Sequence, residues 1–161
     1  AMAPGAGPTA LILSRQKLPV IDREAFADAA GLAKGGYVLS DCEGTPEILL
    51  IGTGAEVHLV LAAQKRLAEQ GIRARVVNLP SWELFEQQDA AYREAVLPSD
   101  VQTRLAVEAG QTLGWERYAG RRDAVIGIET FGTSAPGGLV LERYGFTVDN
   151  VVERALSLLK R

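Results

Sequence analysis

The sequence predicts an α/β fold, a three-layer sandwich around a mostly parallel sheet with one antiparallel edge strand. Three observations carry this. Short apolar, β-rich runs alternate with segments whose apolar residues recur every three or four positions, the pattern of strands joined by crossover helices. Seventeen glycines and seven prolines fall largely at the junctions between those segments. Finally, two short strand-like runs, Tyr37–Ser40 and Glu47–Ile51, flank a Glu43-Gly-Thr-Pro46 turn, which suggests an antiparallel pair at one edge of the sheet.

The elements follow in order. Thr9–Ser14 contains the apolar run Ala10 to Leu13 and reads as a buried strand. Only Ala1-Met-Ala-Pro-Gly-Ala-Gly-Pro8 precedes it, so the strand has no evident neighbours and the chain reads as part of something larger. Gln16 to Gly36 has the composition of an interdomain connection, with room for a short helix over 22–32. After Ile51 comes Gly52-Thr-Gly54, then a helix over 55–70 with Val57, Val60, Leu61 and Leu67 on its apolar face and Gly71 as its stop. Arg73 to Leu79 is the next strand. Ser81 and Asp89 are N-caps for helices over 82–88 and 90–96. Thr103–Glu108 is a strand, 114–118 a helical turn, and Ala124–Ile128 a further strand. Ser134 ahead of Pro136 suits an N-cap and first-turn proline for a helix ending near Tyr144. Thr147 caps the last helix, 148–160, whose Val151, Val152, Ala155, Leu158 and Leu159 share one face.

Composition narrows the function classes. At 161 residues, 47% apolar and 23% charged, the chain has globular values and room for one ordinary domain plus an arm. A net charge of -3 gives no electrostatic reason to expect a nucleic acid or an anionic membrane as partner. Cys42 is the one cysteine and His58 the one histidine, which excludes an intrachain disulfide and any Cys- or His-rich metal site. No apolar run reaches the roughly 20 residues of a membrane helix, and the expected location is cytoplasmic.

Several positions bear on chemistry. Gly52-Thr-Gly54 stands between a strand and a helix, where phosphate loops sit, but Val57 replaces the third glycine of the dinucleotide fingerprint and Glu56 already supplies negative charge. It reads as a tight turn. His58 has no nucleophile near it in sequence and reads as a packing or surface residue. Cys42 lies between Asp41 and Glu43, whose charges oppose a thiolate. Glu108 closes a strand at its carboxyl end, the side on which open α/β sheets hold ligands, with Trp115, Tyr118 and Phe131 expected at the same rim. Arg15 ends the first strand, and its planar fork of donors suits a phosphate.

The chain resembles the C-terminal end of transketolases. The resemblance rests on Gly7-Pro-Thr-Ala-Leu-Ile-Leu-Ser-Arg-Gln-Lys-Leu-Pro19, Gly52-Thr-Gly-Ala-Glu-Val57 and Arg75-Val-Val-Asn-Leu-Pro-Ser81. It continues through Phe85-Glu-Gln-Gln88, Tyr92-Arg-Glu-Ala-Val-Leu-Pro98, Val107-Glu-Ala-Gly110, Gly114-Trp115, Phe131-Gly-Thr-Ser-Ala-Pro136 and Tyr144-Gly-Phe-Thr147. It runs in one register from Gly7 to Leu159.

What the resemblance implies is a thiamine-diphosphate enzyme of three α/β domains that moves a two-carbon ketol unit between sugar phosphates. Residues 1–36 then correspond to the last strand of the preceding pyrimidine-binding domain and a linker, and 37–161 to the C-terminal domain. The resemblance gives Arg15 the role of contacting the substrate's phosphate in the intact enzyme, with no catalytic, cofactor-binding or metal residue in this stretch. Thiamine diphosphate and a divalent metal (Mg or Ca) are implied for the parent only, because the chain lacks a Gly-Asp-Gly segment, a histidine cluster and an activating glutamate. The implied partners are the parent's other domains and a homodimer mate. Two other readings stay open: a regulatory anion- or nucleotide-binding module, and the equivalent domain of deoxyxylulose-phosphate synthase or a 2-oxo-acid dehydrogenase β-subunit.

Overall fold

The computed structural model describes residues 10–14 and 16–160. Five strands form one sheet: β1 (Tyr37–Ser40), β2 (Ile48–Gly52), β3 (Ala74–Asn78), β4 (Arg104–Val107) and β5 (Val125–Ile126). Their order is β1-β3-β2-β4-β5. β2 runs parallel to β3 and β4, and β4 parallel to β5. β1 is antiparallel, as expected for an edge strand, but its partner is β3 and not the expected β2. The reason is the crossover: the chain after β2 returns through a helix and inserts β3 between β1 and β2, which no feature of the turn at 43–46 specifies.

Every position of β2 is buried, as a strand covered on both faces requires. Ile48 and Leu50 face one layer, made by α1 (Glu56–Ala68), α5 (Gly137–Arg143) and α6 (Val148–Leu159). Leu49 and Ile51 face the other, made by α2 (Trp82–Glu86), α3 (Ala90–Val96) and α4 (Glu116–Ala119). α1 buries Val57, Val60, Ala63 and Leu67 at helical spacing, and α6 buries Val151, Val152 and Ala155 against it.

Three expected caps form. The side chains of Ser81, Asp89 and Thr147 accept the backbone N–H groups of Leu84, Tyr92 and Asn150. Ser134 does not cap α5. Pro136 occupies the N-cap position without a side-chain bond, because the proline fixes the entry and leaves Ser134 outside it. The expected helix over 22–32 is instead a turn followed by a 3-10 turn, Ala29–Lys34, capped by Asp28 and ended by Gly35 at φ 78. The strand expected at Thr9–Ser14 is also absent from the described part, 10–14: Leu11, Ile12 and Leu13 are exposed and make no ladder. The sheet described here offers them no neighbour, and an apolar strand without neighbours has nothing to hold it extended. Among the described residues no helix is long and apolar enough to cross a membrane.

Candidate functional site

Strand order decides where a site can form. From β2 the chain moves to β3 on one side, and from β3 it crosses back to β4 on the other. The connections therefore diverge at the β2–β4 boundary, the switch point beyond whose carboxyl ends open α/β sheets hold ligands. Gly52 and Val107 are paired across that boundary, so the 53–55 and 108–111 loops leave the sheet side by side. A crevice of about 370 Å³ opens here, lined among others by Thr53, Gly54, Ser81, Trp82, Glu108 and Trp115.

The glycines at this end are set by space. A Cβ on Gly52 would lie 2.9 Å from Val60 Cγ2, so the glycine lets α1 pack on the strand end. Gly54, at φ 57, turns the chain into the helix. On Gly110 a Cβ would stand 3.3 Å from Glu108 Oε1. Trp82 and Trp115 meet edge to face at 5.1 Å and wall the crevice on one side.

Two carboxylates lie near the switch point, Glu108 lining the crevice and Glu56 the neighbouring groove. Glu56, in the first turn of α1, is only 9% exposed. Burial pushes its pKa up, and the nearby backbone N–H groups of Glu56 itself and of Ala109 oppose the rise. Glu108 follows β4 directly, and its Oε2 is buried with no hydrogen-bond partner. Burial first, and then the charge of Glu56, push the Glu108 carboxyl up to about 7. No lysine or arginine lines the crevice among the described residues.

The other expected positions are dispersed. Arg15 lies outside the described residues, and its expected role is carried below as a proposal. His58 points into a neighbouring apolar groove with Leu18, Leu59, Leu141 and Phe146. Cys42 follows β1, where burial first and Asp41 second push its thiol up, in the direction its acidic neighbours imply. Trp115 is buried yet reaches the crevice. Tyr118 does not stand at the rim. It is buried in the core and donates to Glu86 at 3.0 Å, with Arg93 and Arg117 on the other Glu86 oxygen at 2.7 and 2.9 Å. Phe131 is 97% exposed, on a loop whose Phe131 carbonyl accepts from the Tyr144 hydroxyl at 2.9 Å.

Sequence reasoning missed the nearness of Glu56 to Glu108. Each carboxylate is visible in sequence, one after Gly52-Thr-Gly54 and one ending a strand; only the β2–β4 pairing brings them to the same end of the sheet. Arg104 was missed as well. Its half-buried guanidinium donates to the carbonyls of Leu97, Pro98, Val101 and Tyr118, and ties down the opposite end of β4.

An open, mostly parallel sheet with a crevice at its switch point defines an α/β domain of the kind that binds a ligand or partner at its carboxyl end. The family described as the transketolase-like TK C-terminal domain matches residues 35–147, and the chain belongs to that family. It is 54% identical over 153 residues to transketolase 1 of Escherichia coli, an alignment covering 95% of this chain and 23% of that one. Transketolase from Leishmania mexicana has the same fold over 82% of this chain and 19% of its own, with TM-score 0.76 and 37% identity. The transketolase of Campylobacter jejuni aligns over 78% of this chain and 19% of its own, with TM-score 0.70 and 35% identity. The chain thus spans about a quarter or less of the relatives it matches.

Proposed function

We propose that this chain is the C-terminal domain of a transketolase, with residues 1–36 contributing the last strand of the preceding domain and a linker. In that reading the parent moves a two-carbon ketol unit between sugar phosphates with thiamine diphosphate and a divalent metal. This domain is non-catalytic: it docks on the parent's other domains and on a homodimer mate. Arg15 grips the substrate's phosphate in the assembled enzyme, and the location is cytoplasmic.

The observation that carries the reading is the family match over 35–147, together with the distribution of exposed apolar side chains. Beyond residue 36 the large ones are Leu84, Leu113, Phe131 and Leu139, all in segments that follow the carboxyl ends of β3, β4 and β5. An apolar face of this sort marks a contact with more polypeptide.

The crevice does not suit the cofactor. Glu83 and Glu108 line it, Glu56 already occupies the first turn of α1, and no cation stands there among the described residues to meet a diphosphate. No step of the chemistry is therefore assigned to these residues. The same carboxylates argue against the alternative of an anion- or nucleotide-binding module.

Two measurements test the proposal. Replacing the corresponding region of Escherichia coli transketolase 1 with this chain retains ketol transfer, and in that chimera Arg15→Ala raises KM for phosphorylated sugars more than it lowers kcat. A properly folded chimera without activity overturns the domain assignment. Titration of thiamine diphosphate with Mg into this chain alone gives no saturable heat; saturable binding overturns the non-catalytic reading.

A further inference from the structure

The stretch from Gln16 to Gly36 has the composition of a connection between domains, yet its two parts are held differently. From 16 to 20 the backbone makes no hydrogen bond to other backbone among the described residues. Val20 is exposed, and Leu18 lies half-exposed against the apolar groove between α1 and α5.

From Ile21 onward the chain is fastened every few residues. Ile21 and Phe26 pack on the core cluster that contains Ile48, Val57 and Val60. The Phe26 N–H donates to the Asp22 carbonyl and the Ala27 N–H to the Leu39 carbonyl of β1, both at 3.0 Å. The Arg23 guanidinium donates to the Ala27 carbonyl at 2.6 Å and to the Tyr37 hydroxyl at 3.4 Å. Past the 3-10 turn Ala29–Lys34, Gly35 and Gly36 are buried, and a Cβ on either would collide with Phe85. The Gly35 carbonyl accepts the Ser81 N–H at 3.0 Å, and the Gly36 carbonyl accepts the Tyr92 hydroxyl at 2.8 Å. The Lys34 ammonium sits 4.1 Å from the centroid of the Tyr92 ring.

These fastenings lie on both faces of the sheet. Ile21 and Phe26 belong to the side of α1, α5 and α6, whereas Gly35 and Gly36 meet Leu79 and Phe85 on the side of α2 and α3. The segment therefore passes around the outer edge of β1 from one layer to the other.

We propose that residues 21–36 are a strap built into this domain, joining its two helical layers across the β1 edge, and that the domain pivots against its parent at 16–20. A segment with buried side chains and paired amides opens only at a cost in free energy; one with neither has little to resist rotation about its backbone. Pro19 stiffens the pivot at a single φ without tying it down. The pivot rests on the reading above that another domain precedes this one. The strap does not, because its contacts are made within this chain.

Trypsin separates the two parts, since Lys17 lies in the first and Arg23 and Lys34 in the second. In the native chain, cleavage after Lys17 is at least about a hundredfold faster than after Arg23 or Lys34. Phe26→Ala, which removes a packed ring, speeds the Arg23 cut at least about tenfold and leaves the Lys17 cut unchanged. Cleavage after Arg23 or Lys34 at the Lys17 rate overturns the strap, as does a Phe26→Ala chain cut no faster than the unmodified one. Should Phe26→Ala misfold, backbone 15N relaxation of the unmodified chain decides. Order parameters over 21–36 match those of the strands, at about 0.85, and those over 16–20 fall below about 0.6. Low order throughout 16–36 overturns the strap, and high order throughout overturns the pivot. A folded but inactive chimera with Escherichia coli transketolase 1 removes the preceding domain, and with it the pivot, while the strap is still decided by trypsin and relaxation on this chain alone.

Discussion

Glycines at the two ends of the sheet sit in different surroundings. At the amino ends of the parallel strands the turns carry Gly44, Gly71 and Gly120, with φ of 75, 77 and 80, and a Cβ on any of them would meet nothing within 4 Å. These glycines are there for backbone conformation alone. At the carboxyl ends, Gly52, Gly114 and Gly127 are crowded: a Cβ would fall 2.9 Å from Val60, 2.8 Å from Trp82 and 2.6 Å from Thr112. At these three the lack of space requires glycine, and Gly114, at φ 87, is left-handed as well. The apolar exposures follow the same division, since Leu84, Leu113, Phe131 and Leu139 belong to the crowded end. The amino-end turns are polar, and Arg104 draws four carbonyls together beneath them. One end is built to be solvated, and the other is built tightly beneath an apolar surface.

Substitutions sharpen or break this contrast. The largest effect belongs to Gly127→Ala. Its Cβ would meet Thr112 Cγ2 at 2.6 Å and the Gly110 carbonyl at 3.0 Å, so stability falls by about 2–3 kcal/mol in urea unfolding. Gly44→Ala, with open space around it, costs only about 1 kcal/mol, the left-handed backbone being its sole penalty. Equal losses at the two sites would break the comparison. Phe131→Ser changes stability least, by less than about 0.5 kcal/mol, because the ring is 97% exposed. In the chimera with Escherichia coli transketolase 1 the same change weakens assembly, read by analytical ultracentrifugation; unchanged assembly would remove Phe131 from the docking face.

Glu108 adds a pH dependence at the crowded end. The Glu108 carboxyl is pushed from its ordinary 4.5 up to about 7, so the folded state binds the proton more tightly than the unfolded chain. The sign follows: this contribution to stability is complete below pH 4.5 and is lost as pH rises through 7. Glu108→Gln is accordingly the more stable form at pH 8, by about 1–2 kcal/mol after allowance for partial solvation, and the advantage vanishes below pH 4.5. The measurement is a pair of urea titrations at the two pH values.

Much of the fold was legible because its signals are local. Ser81, Asp89 and Thr147 each sit just before a helical pattern, and a cap needs only the next three residues to form. The α1 and α6 faces likewise follow from spacing within one element. Strand partnership is not local. That β1 pairs with β3 depends on where a helix returns the chain, and the nearness of Glu56 to Glu108 is a consequence of β2 lying beside β4. Tyr118 follows a strand's carboxyl end, which points to the rim, yet α4 turns it back into the core, where its hydroxyl donates to Glu86. The apolar run at 10–13 has strand composition and no strand, because composition does not supply a neighbour.

The borders of the sheet carry a last consequence. On one side β5 is only two residues long. On the other, the carbonyl of Leu39 in β1 accepts the Ala27 N–H at 3.0 Å, and the ladder with β3 slips between Val38 and Ser40. Neither border offers a long, regular row of free amide groups on which a foreign strand can grow. Association of this domain is thereby steered toward side-chain contact and away from the templated stacking by which exposed β-structure polymerises.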